Sequence, residues 1–136
     1  MKIIGFNFDR ISVEKLSNKP ENLKINTQIN VLEIESVDSD VFKLREELLG
    51  IKYSFVISYD PGFAKLEISG SLLLAVDPKL SKEVLKNWKD KKIPEEFNIT
   101  LFNIIIKKSS LKALQLEEDM GLPLHIPMPT FKKQDK

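Results

Sequence analysis

The stretch IKYSFVISYDPGFAKLEISGSLLLAV, residues 51–76, decides the fold. Ile51, Tyr53, Phe55, Ile57 and Tyr59 alternate with smaller or polar residues, which is the period of a strand with one buried face. Asp60-Pro61-Gly62 then reads as a tight turn: proline presets φ and glycine tolerates positive φ. The chain returns through Leu66, Ile68, Leu72, Leu74 and Val76. Gly70 falls in mid-strand on the apolar face, which predicts a bulge, a bend or a close approach by another element.

Upstream, two further stretches alternate. Ile4, Phe6 and Phe8 are followed by Ile11 and Val13, and the slip near Asp9-Arg10 predicts a β-bulge. Lys19-Pro20-Glu21-Asn22 ends that element. In residues 23–37, Ile25, Thr27, Ile29 and Val31 share one face; the phase then moves to Leu32 and Ile34, as in a twisted, bent strand or two short ones. Asp38 to Gly50 has two readings. Val41, Leu44 and Leu48 have helical spacing with Gly50 as a C-cap, and a strand extension fits equally well.

Downstream the period changes. Asp77-Pro78 reads as a helix start, with Ser81 as the alternative cap, and Leu80, Val84, Leu85 and Trp88 form its stripe. Lys92-Ile93-Pro94 interrupts. Glu95 and Glu96 open a longer helix, whose face of Phe97, Leu101, Ile104, Ile105, Leu111, Leu114 and Leu116 is broad. Ile104-Ile105-Ile106 resembles a strand in isolation, but its flanks favour helix. Gly121-Leu122-Pro123 stops it. Residues 123–129 then hold three prolines and read as an extended tail. The expected fold is α+β: a bent four-stranded antiparallel sheet, then a short and a long helix. One domain is expected over residues 1–131, with residues 132–136 a disordered polar tail.

Composition narrows the chemistry. The chain has 136 residues, no cysteine and one histidine. A cysteine nucleophile, a thiolate metal site and a two-histidine metal pair are excluded. Lys plus Arg is 21 against 20 for Asp plus Glu, and the near-balance argues against a dedicated nucleic-acid binder, although residues 79–92 hold six lysines and two acids. The apolar opening is broken by Asn7, Asp9 and Arg10, too early for a signal segment, and no run is long enough to span a bilayer. A cytoplasmic location is expected. Asp60 reads as a turn residue, Glu117-Glu118-Asp119 as a solvated helix end, and His125 lacks an obvious base or nucleophile partner. Ser109-Ser110 lack a nucleophile elbow. No enzyme and no cofactor are expected.

The order of elements resembles the SecB-like family of export chaperones. The similar features are Lys24 to Val31, the hairpin from Tyr53 to Leu74, and above all the ending Gly121-Leu122-Pro123-Leu124-His125-Ile126-Pro127-Met128-Pro129. The resemblance implies an ATP-independent holdase that keeps non-native polypeptides from aggregating. It also implies a dimer or tetramer, with an antitoxin or an export precursor among its clients. The export chaperone is markedly acidic and this chain is not, which puts docking to a translocase motor in doubt. An adaptor that binds one folded partner is the alternative. Client-binding positions expected on this basis are the aromatics Tyr53, Phe55, Tyr59, Phe63 and Trp88, each also readable as core, and the tail residues Leu124, Ile126 and Met128, which would otherwise pack on the long helix.

Overall fold

The computed structural model describes residues 1–38 and 46–133. Its elements in chain order are β1 (Lys2–Lys15), β2 (Lys24–Val37), β3 (Glu47–Asp60), β4 (Ala64–Val76), α1 (Pro78–Trp88) and α2 (Glu95–Met120). The strands form one antiparallel sheet in the order β1-β4-β3-β2. The architecture is thus the expected α+β arrangement of a bent four-stranded sheet followed by a short and a long helix.

Alternation on β3 and β4 puts Leu49, Ile51, Tyr53, Phe55, Ile57 and Tyr59 on the same face as Leu66, Ile68, Leu72 and Leu74, all nearly or fully buried. Full burial of each such side chain is worth about 1.5–3 kcal/mol, so this face defines the core. Gly62 takes φ 57° in the turn. β3 begins at Glu47, so residues 47–50 follow the strand-extension reading, with Leu48 and Gly50 in the strand. Val41 and Leu44 lie outside the described residues.

The bends have local causes. The β1–β4 register shifts between Phe8 and Arg10, and the β2–β3 register between Val31 and Glu33, at the two phase slips legible in the sequence. A further shift between Ile3 and Gly5 has no such signal, because Ile3 and Ile4 are both apolar. Each bulge adds a residue to one strand and increases its twist.

Both helices lie on the core face. α1 opens on Pro78, with Asp77 before it making no side-chain cap bond. α2 buries Phe97, Leu101, Ile105, Ser109, Ala113 and Glu117, a ladder with a step of four residues. Leu111, expected on the buried face, is 59% exposed. Gly121 ends α2 in the left-handed conformation, at φ 63°.

Candidate functional site

Both helices pack on β2 and β3, at the far side of the sheet from β1. The core face of β1 is therefore only partly covered. Its residues on that face are Ile3, Phe6, Phe8, Ile11 and Val13, which stand opposite Leu74, Leu72, Gly70, Ile68 and Leu66. The spacings of three, from Ile3 to Phe6 and from Phe8 to Ile11, each span a register shift. Without the bulges, alternation would turn Ile3 and Ile11 to the face opposite Phe6 and Phe8. Ile3 is 44% exposed, Phe8 37% and Ile11 40%.

α2 walls the other side of this gap. Thr100, Asn103, Ile104, Lys107, Lys108, Leu111, Lys112 and Gln115 recur at steps of three and four, which defines one helix face. Ile3 and the residues from Thr100 to Lys108 line a cleft of about 470 Å³. Phe6, Phe8 and the residues from Lys108 to Gln115 line a second of about 320 Å³. Lys108 is shared, so the two form one groove along β1 and α2. Phe6 fixes the floor. It stacks on Tyr53 at 5.2 Å, meets Phe8 edge-on at 5.5 Å, and has the Lys108 ammonium 6.0 Å from its ring centre.

The expected client positions divide between core and surface. Tyr53, Phe55 and Tyr59 are fully buried and Phe63 is 6% exposed, so all four are core in this chain. Tyr53, Phe55 and Tyr59 project from the core face of β3, which is flanked in the sheet by β4 and β2, and freeing one would forfeit about 2 kcal/mol of burial. Trp88 is half-buried at the end of α1, with the Lys91 ammonium 4.5 Å from its ring centre. Leu124 is half-buried, while Ile126 and Met128 are open to solvent, at 38% and 54%. Sequence reading missed Ile3, Phe8, Ile104 and Leu111 as groove residues.

A second polar cluster corrects the reading of the α2 end. Glu117 is not a solvated residue: its side chain is fully buried. Its carboxylate accepts hydrogen bonds from the Tyr59 hydroxyl and the His125 backbone N–H, and His125 Nδ1 stands 2.6 Å from Oε1. His125 thus has a carboxylate partner after all, and its ring meets Phe55 edge-on at 6.0 Å. Burial, then the hydrogen bond to Glu117 and its negative charge, push the Tyr59 hydroxyl well above the ordinary tyrosine range. Nε2 of His125 is buried without a partner, so the cluster is closed to solvent and docks the start of the tail. Among the described residues, no group of three or more acids and histidine is placed to hold a metal ion. No helix among them is long and apolar enough to cross a membrane.

No family model matches the sequence, and no curated protein matches it. Among solved structures, the fold is similar to that of a SecB-like chaperone of Mycobacterium tuberculosis, determined in complex with a ChAD peptide from the HigA1 antitoxin. The TM-score is 0.56 at 13% sequence identity, over 98% of this chain and 92% of the other, so the likeness runs through the whole sheet-and-helix architecture.

Proposed function

We propose that this chain is an ATP-independent polypeptide-binding protein that holds non-native segments in the groove between β1 and α2. The observation that carries this reading is the open apolar core face of β1 beside α2. β1 is also an edge strand of 14 residues. An edge leaves backbone N–H and C=O groups unpaired, and an extended segment can bond to them while setting alternate side chains into an adjacent groove. Non-native polypeptides offer both apolar side chains and free backbone, whereas a folded partner has already paired its own.

The fold likeness to a chaperone solved with a peptide supports the same reading. Ile126 and Met128 extend the apolar surface available to a client. The reading includes assembly into a dimer or tetramer and work in the cytoplasm, on an antitoxin or an export precursor as client. Light scattering of an aggregation-prone unfolded protein, without nucleotide, tests it. Suppression at stoichiometric amounts is expected. Absence of suppression at severalfold excess, with no binding to a panel of unfolded chains, overturns it. Binding to one folded partner alone would instead identify an adaptor. Solution mass tests the assembly separately.

A further inference from the structure

The groove carries a charge as well as an apolar floor. Between Phe97 and Leu116, α2 contains Lys107, Lys108 and Lys112 and no Asp or Glu. All three lysines line the groove. The ion pairs among the described residues join Arg10 to Glu67, Lys52 to Glu33 and His125 to Glu117, and none uses a groove lysine. The acids of α2 sit at its two ends, in Glu95-Glu96 and Glu117-Glu118-Asp119. On the β1 side, Asp9 in the bulge is the one acid between Ile3 and Ile11. A chain whose total charge is +1 has therefore gathered three cations along one wall of an apolar cleft.

We infer that the groove selects extended polypeptide segments in which apolar residues are flanked by carboxylates. The inference rests on the polypeptide-binding reading and adds its selectivity. The apolar residues of such a segment meet Ile3, Phe8 and Leu111, while its Asp and Glu side chains meet the three ammonium groups. A client flanked by lysines brings like charges together and is disfavoured. Single-stranded nucleic acid could use the same cations. The apolar floor, and lysine in place of arginine, favour the polypeptide.

The test uses the full chain and three labelled peptides with one alternating apolar core. Their flanks are Asp/Glu, Ser/Gln or Lys, and binding is read by fluorescence anisotropy. Partly exposed charge pairs are individually weak, so the acidic peptide is expected to bind roughly tenfold tighter than the neutral one at low salt. The advantage should vanish at about 0.5 M salt, where screening is short-ranged. In Lys108→Glu/Lys112→Glu the order should invert, with Lys108→Gln/Lys112→Gln as the neutral variant if the reversal fails to fold. Equal binding of the three peptides overturns the selectivity and leaves polypeptide binding standing. Binding of none overturns both. Competition by an oligonucleotide at the affinity of the acidic peptide assigns the cations to phosphate and overturns the inference.

Discussion

His125 Nδ1 lies 2.6 Å from Glu117 Oε1, with both side chains out of contact with water. Gly121 makes this possible by reversing the chain, and the Leu122 N–H donates to the Glu117 carbonyl at 2.8 Å. The carboxylate thus ties the tail to α2 and, through Tyr59, to β3. Glu117→Ala leaves the Tyr59 hydroxyl and two His125 donors without their acceptor. Loss of one partner from such a buried group costs about 3 kcal/mol. Urea unfolding should show that loss. A change under 1 kcal/mol would mean that the cluster does not hold the tail.

The two tyrosines make a spectroscopic test of the same core. Burial first, and for Tyr59 the adjoining Glu117 carboxylate, raise both hydroxyls above the ordinary range. A tyrosine that holds its proton more tightly when folded contributes stability that is fully present below the unfolded pKa of about 10 and is lost as pH rises beyond it. Tyr53 and Tyr59 are the only tyrosines in the chain. Alkaline titration followed at the tyrosinate absorbance should therefore show no native ionisation near pH 10. Tyrosinate should appear together with loss of the circular dichroism signal. A separate ionisation step in the folded protein would contradict the burial of these hydroxyls.

Much of the fold is legible because the strands report it twice, once in alternation and again in its breaks. The slips at Asp9-Arg10 and Leu32 mark real register shifts. The groove is not legible, since Phe8 and Phe55 have the same local pattern. They differ because the helices cover β3 and leave β1 open, which depends on how the helices dock and not on periodicity. Glu117 stands between these cases. The step of four from Ala113 places it on the buried ladder, but its acidic neighbours Glu118 and Asp119, both exposed, make the whole run read as solvated.

Gly70 gives the sharpest steric prediction. A Cβ there would stand 2.0 Å from the Asn7 carbonyl oxygen and 2.7 Å from the Tyr53 hydroxyl oxygen. That hydroxyl donates to the same carbonyl at 3.3 Å. The nearest obstacle is backbone, so β1 must move. Gly70→Ala should cost about 3 kcal/mol and speed hydrogen exchange of the β1 amides. Gly5→Ala is the control, because its Cβ would meet only the Leu73 Cβ at 4.0 Å. Equal stability of the two variants would refute the close approach of β1 to β4.

Serine at Ile3, Phe8 and Leu111 separates binding from folding. These side chains are 44%, 37% and 59% exposed, so each replacement should change stability by less than about 1 kcal/mol. A client buries what the chain leaves open. With about 1 kcal/mol lost per position, the triple variant should bind an unfolded client roughly a hundredfold more weakly. Ile126→Ser/Met128→Ser removes apolar surface from the tail and leaves the groove whole. If the tail lines the site, it too should weaken binding, by a smaller factor; if the groove acts alone, affinity should be unchanged. Anisotropy with one client compares the parent chain, the groove triple and the tail variant. Retained affinity in the groove triple, together with loss in the tail variant, would move the client site from β1 and α2 to the proline-rich segment, because the tail is then the exposed apolar surface on which binding depends.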